Sequence, residues 1–368
     1  MLFENYTSFP AIGWLSWDNK AKEYNSIVVR VKYLFDQIDK EGLWSLKLDP
    51  NQGELFGTDI FYEENMSASV LFESDYIAYK PHADLVVNGF AHSDEPKRYW
   101  DCGIKAIRPL SDDNHEVLVE QNLTVTGERY WRDGFRGWRV SRPQKTTKVA
   151  LRYENAYGGV VLDPNKEGEY LKYYHQNPIG KGIFHKSLIK QNIAIEAPQI
   201  EAKGQFIEQK ERDYTPQGLG FIHRSWQPRL ALAGTFDNDW LENKHPVMPD
   251  DFQESHNNGA NPNLQLKDRG YFEVGDIIIL ENLLKGKSVQ AFILPDFHFK
   301  AEVHIANEKL ASYLDIDTVV VDIRADEMSD NAIYISYRKR ISASKHTKKI
   351  TLDMIVSEEF IEKGREDG

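Results

Sequence analysis

Between residues 245 and 256 the stretch HPVMPDDFQESH places two histidines and three carboxylates, His245, Asp250, Asp251, Glu254 and His256, close together in the chain. Mixed imidazole and carboxylate donors suit zinc or manganese. The histidines lack the i, i+4 spacing that presents two ligands on one helical face. A chain with 57 acidic residues also forms such clusters by chance. The plainer role is for Asp250 or Asp251 to cap the turn after Pro249 by accepting bonds from following backbone N–H groups. Glycoside hydrolysis by paired carboxylates also fits an aromatic, β-rich chain, although nothing singles out two of them. A carbohydrate-active or metal-dependent hydrolase, with His245, Asp250 and His256 as ligands, is therefore the enzymatic alternative.

Other catalytic signatures are missing. The sequence has no G-x-S-x-G elbow, no P-loop, no H-E-x-x-H and no EF-hand spacing. GKGIFH (180–185) begins like a dinucleotide loop but carries His185 where the third glycine belongs. Cys102, in RYWDCGIKAI, lies in an expected strand, where a lone cysteine is a small buried hydrophobe more often than a nucleophile.

The densest polar and aromatic run is WQPRLALAGTFDNDWLENKHPVMPDDF (226–252). Arg229, flanked by Trp226 and Trp240, has a guanidinium that stacks on rings and forks onto carboxylates, which suits tying loops together. Gly158 and Gly159 in ENAYGG, and Gly218 and Gly220 in TPQGLG, read as architecture, giving positive φ or close backbone approach. Trp131 and Trp138 in GERYWRDGFRGW read as core anchors of the loop region, with an exposed interface as the rival role.

The elements that must hold these residues are strands. SIVVRVKYLF (26–35) alternates Ile27, Val29, Val31 and Tyr33 with Val28, Arg30 and Lys32, a period of two. LWSLKL (43–48), SVLFE (69–73), ADLVVNGF (83–90) and HEVLVEQNLTVT (115–126) read the same way, separated by turn clusters such as DPNQG and SDDN. Strands return at 276–280, 288–295, 317–323 and 332–338, after a long middle rich in Gly, Pro, Asn and aromatics. That middle carries too much apolar surface for a disordered linker and is expected to be ordered but irregular. AEVHIANEKLASYL (301–314) fits a helix or a strand.

The expected class is mainly β, with two β-sheet lobes or sandwiches, a long irregular middle and few helices. Its expected parts are an N-terminal lobe over 1–126, a C-terminal lobe with extended ordered loops over 127–345, and a charged tail over 346–368. The chain has 368 residues, room for one large core or two ordinary ones. A net charge of -12 argues against nucleic acid as the main partner. One cysteine excludes an intrachain disulfide framework. The opening MLFENYTSFPAIGW does not read as a signal peptide and no long apolar run follows, so a cytoplasmic protein without membrane partners is expected.

Several stretches, in one order, resemble a bacterial family labelled a domain of unknown function and found beside type VI secretion genes. They are ESDYIAYKPHADLVVNGFA (73–91), GERYW (127–131), RYENAYGG (152–159), NPIGKG (177–182), PQGLGFIHRSWQPRLALAGTFDNDWLENKHPVMPDDF (216–252), FILP (292–295) and LDIDTVVVDI (314–323). Tyr337-Arg338 stands where the family tends to have Trp-Arg, Glu128 where an Asp is usual, and HNNGANPNLQL (256–266) is looser than the family's run. The resemblance implies a non-catalytic adaptor or effector chaperone in a Gram-negative bacterium, needing no cofactor or metal. Its implied partners are a secreted effector and spike-tip proteins of VgrG-like or PAAR-like type. It marks Asp75, Lys80, Pro81, Asp84, Arg129, Trp131, Gly158, Gly159, Asn177, Gly180, Trp226, Arg229, Gly234, Trp240, Asp250 and Phe252 as scaffold or interface positions.

Overall fold

The computed structural model describes residues 2–355, apart from 112–113, 136, 191–193, 210–211, 268–269, 306–307 and 345. It is mainly β. A 12-stranded sheet dominates, in the order Thr146–Ala150, Asp84–Lys97, Asp315–Ile323, Ala332–Ser342, Glu23–Ile38, Leu43–Leu48, Val289–Ile293, Ile277–Glu281, Tyr99–Ser111, Asn114–Thr126 and Ile200–Ala202. Ala11–Trp17 adds to it by pairing with Glu23–Ile38. The nine strands read from the sequence above are all present, with most ends within a few residues and the 83–90 strand extended to Lys97.

Sequence pattern explains the central positions. The run DTVVVDI has no alternation because both its faces are covered: Val319, Val320 and Val321 are all buried. It pairs in parallel with Asp84–Lys97, in the register Val319↔Leu85 and Val321↔Val87. The Glu23–Ile38 strand is also buried on both faces. Ile27, Val29 and Val31 pack in the core, while on the other face the Arg30 guanidinium lies 3.8 Å from the Phe56 ring centroid.

Strands from residues 1–126 and from 127–345 interleave in this sheet, and their buried side chains form one continuous core. A smaller core of Trp131, Tyr157, Ile195, Ala197, Ile207 and Tyr214 lies in the irregular middle. Among the described residues α-helix is confined to Lys186–Lys190 and Asn238–Asn243.

A second, four-stranded sheet has the order Leu2–Asn5, Thr347–Ile355, His298–Ile305, Glu308–Tyr313. The ambiguous segment 301–314 is therefore strand, its two arms paired from Lys300↔Tyr313 to Ile305↔Glu308. Thr347–Ile355, which the sequence reading assigned to a charged tail, is a central strand with Ile350 and Leu352 fully buried. The rest of the expected charged tail, from residue 356 on, lies outside the described residues.

Candidate functional site

Four of the marked residues, Asp75, Lys80, Asp84 and Arg229, belong to one buried ionic frame. Lys80 Nζ donates to Asp84 Oδ2 at 2.7 Å and to Thr318 Oγ1 at 3.0 Å, and lies 4.0 Å from Glu73. Asp84 also accepts from Asn258 Nδ2 and from the Gly259 N–H, both at 2.9 Å. Arg229 donates to the carbonyls of His256 and Ile222, each at 2.7 Å, and pairs with Glu73. Arg30 pairs with Asp75, whose carboxylate also accepts the Phe56 N–H at 2.7 Å. Arg338 pairs with Asp317 and donates to the Asp75 carbonyl at 2.8 Å.

All eight charged side chains of the frame, Arg30, Glu73, Asp75, Lys80, Asp84, Arg229, Asp317 and Arg338, are more than nine-tenths buried, and cations balance carboxylates. Charges removed from water in this way persist only when paired and hydrogen-bonded. The frame joins the 222–259 loops to four strands of the large sheet, those that carry Arg30, Asp84, Asp317 and Arg338. At its solvent side Arg224 forks onto Asp59 at 2.8 and 2.9 Å. Burial opposes ionisation of Asp59, but the Arg224 bonds outweigh it and hold the carboxyl below its ordinary range.

The 226–252 run projects from this frame. Trp226 is buried edge-on against Tyr153 at 5.6 Å, and the Arg229–Leu232 3₁₀ turn follows it. Asp237 caps the short Asn238–Asn243 helix by accepting from the Trp240 N–H. Trp240 is half-buried, donates from Nε1 to the Val247 carbonyl at 2.8 Å, and meets Phe236 and His245 edge-on at 4.7 and 5.3 Å. At the neck Gly234 has φ +80, and a Cβ there would sit 2.9 Å from Asp251 Oδ1. Asp251 accepts from both the N–H and the hydroxyl of Thr235, at 2.9 and 2.8 Å. Phe252 is half-buried against His256, and Asn19 donates to the carbonyls of Asp250 and Phe252. Phe236, Leu241 and Met248 remain 54, 60 and 43 % exposed.

The other marked residues hold the middle of the chain. Asn177, fully buried, donates to the carbonyls of Tyr153 and Tyr157, and its own carbonyl accepts from the N–H groups of Gly159 and Gly180. Gly158 has φ +152, and a Cβ there would lie 2.1 Å from the Asn177 carbonyl oxygen. Arg129 is buried, donating to the Pro198 carbonyl and pairing with Glu201. Trp131 belongs to the smaller core and Trp138 packs partly buried against it. Pro81 is half-buried between Lys80 and the Asp84–Lys97 strand.

The candidate metal ligands do not converge. Asp250 pairs with Lys244 at 2.8 Å, Asp251 holds Thr235, Glu254 pairs with Arg340, and His256 Nδ1 lies 3.0 Å from the Arg229 carbonyl oxygen. Among the described residues no group of three or more His, Cys, Asp or Glu is placed to hold an ion. In GKGIFH, Lys181 pairs with Glu196 and Lys181–Gly182 pairs in parallel with Tyr157–Gly158, so the loop's backbone is used in structure. Cys102 is fully buried, and burial pushes its thiol up.

Sequence reasoning did not single out Glu73, Asp317 or Arg30 as frame members. Arg30 carried a usable signal, a cation inside a strand whose neighbours Val29 and Val31 are apolar. The comparisons with known proteins are sparse: no curated protein and no solved structure matches the chain. Residues 21–330, most of the chain, match the family described as an uncharacterized protein conserved in bacteria, DUF2169, and the chain belongs to that family.

Proposed function

We propose that this chain is a non-catalytic adaptor that binds a type VI secretion effector in the cytoplasm and helps load it onto the spike tip. The observation that carries the reading is the 236–248 module, which holds Phe236, Leu241 and Met248 exposed around the half-buried Trp240. Surfaces that bind other proteins concentrate aromatic, Met and Arg side chains inside a polar rim. The base of the module is fixed by Arg229 and Asp251, which lowers the ordering cost of association. The chain's acidic charge suits a basic segment on the partner and steers its approach.

The test is co-purification with candidate effector and spike-tip proteins of the same bacterium. The expected result is a complex of defined stoichiometry, weakened at least tenfold by the paired exposed substitutions Phe236→Asp and Leu241→Asp. Capture of none of these proteins, together with normal secretion of every effector from a strain lacking this chain, would overturn the reading. Loss of all effectors together would instead make the chain part of the apparatus.

A further inference from the structure

Among the described residues the large sheet contains an internal edge with no strand paired to it. Leu43–Leu48 pairs along one side with Glu23–Ile38, from Tyr33↔Leu48 to Ile38↔Trp44. On its other side it meets Val289–Ile293 only at Leu43↔Ala291 and Trp44↔Phe292. Continuing that parallel register would put Pro295 opposite Lys47, and proline has no N–H to offer a ladder. Ala291 donates to the Gly42 carbonyl, so by alternation Ile293 and Pro295 turn their backbone groups toward Leu43–Leu48, while Leu294 faces the other neighbour, donating to the Asp276 carbonyl and accepting from the Gly275 N–H. The two strands therefore diverge after Trp44.

The free groups can be identified. The Asp49 N–H donates to the Lys32 carbonyl at 3.0 Å. By the alternation of an antiparallel ladder, Lys47 faces inward and the N–H and C=O groups of Leu46 and Leu48 face the gap. The gap is a groove of about 860 Å³, flanked by Ile38, Trp44, Leu46, Leu48, Ile293 and Phe297. Ile38, Leu48 and Ile293 are about two-fifths exposed there.

We infer that this groove binds an extended polypeptide segment of a partner, added as a strand to the Leu46–Leu48 edge, with apolar side chains at alternate positions and a basic flank. A row of outward N–H and C=O groups specifies an extended backbone, and alternate pockets read every second side chain. Charge at the rim selects the flank. Asp39, fixed by the N–H groups of Glu41, Gly42 and Leu43, and Asp296, 3.2 Å from the His298 imidazole, outnumber the rim's cation Lys47, which is itself paired with Asp36. The chain's own segment 356–368, VSEEFIEKGREDG, has more acidic than basic residues and is disfavoured at such a rim. The inference deepens the adaptor reading, on which it rests for the partner's identity.

The probe is a fluorescent decapeptide of alternating valine and threonine flanked by lysines, titrated into the full chain and followed by anisotropy. Saturable binding is expected, at least tenfold weaker for Ile293→Glu and for the same peptide N-methylated at alternate residues. Absence of binding, or binding indifferent to N-methylation, would overturn strand addition. So would a dimer of this chain that Ile293→Glu dissociates, or peptide binding that appears only when residues 356–368 are removed. Co-purification separates the two proposals. An effector complex formed equally by wild type and Ile293→Glu leaves the adaptor reading standing without the groove. Peptide binding with no effector captured does the reverse.

Discussion

Arg229 shows how one side chain secures a loop. It is 3 % exposed and anchors two carbonyls and Glu73. Its removal leaves Glu73 buried, with Arg224 at 3.8 Å and Lys80 at 4.0 Å as distant partners. Arg229→Ala should therefore lower stability by about 3–5 kcal/mol, the scale for breaking a buried pair, read as a drop in the urea midpoint. A variant that melts like wild type yet loses its partner would move Arg229 from scaffold to interface. Histidines set the acid limit. Burial, followed by the nearby Lys148 and Lys285, lowers the His92 imidazole from 6.5 to about 4. Burial also lowers His223 and His256. Unfolding lets each take up protons more readily, so the stability they contribute is complete above pH 6.5 and is lost as pH falls toward 4. The urea midpoint should drop between pH 7 and 5, and less steeply in His92→Gln. A flat profile would refute this. At this scale Asp75, Lys80, Asp84 and Arg229 were singled out from the quoted motifs, whereas Glu73 and Asp317, which stand in the same kind of stretch, were not, because which cation an acid meets is decided only when the fold places it.

At the scale of elements, strands with strict alternation or β-branched runs were legible, and those that mix classes were not. Thr347–Ile355 hides Ile350 and Leu352 among Lys348, Lys349 and Asp353, so its sequence reads as solvated tail. Burial of those two side chains stabilises the four-stranded sheet by roughly 1.5–3 kcal/mol each. A chain ending at residue 346 should accordingly lose at least about 3 kcal/mol or become insoluble, whereas a thermal midpoint equal to wild type would show the strand to be dispensable. Of the Asn177 knot the sequence marked Asn177, Gly158, Gly159 and Gly180 as separate positions, without the bonds that join them. Gly158→Ala drives a Cβ into the Asn177 carbonyl at a φ that side chains rarely adopt, so it should cost more than about 1 kcal/mol, measured by denaturant unfolding. The groove beside Leu46 escaped the sequence because its cause, pairing that stops at Trp44↔Phe292 shortly before Pro295, is a relation of register across two distant strands.

For the whole molecule, pairing over long sequence distance governs the order of events. Leu34 pairs with Ala332, and Leu85 lies beside Val319. During synthesis at roughly 5–20 residues per second, the early strands wait on the order of ten seconds or longer for their neighbours to leave the ribosome. Nascent chains of this protein carry apolar strand edges with no partner throughout that interval, a condition that invites holdase chaperones and makes stalled or truncated products aggregation-prone.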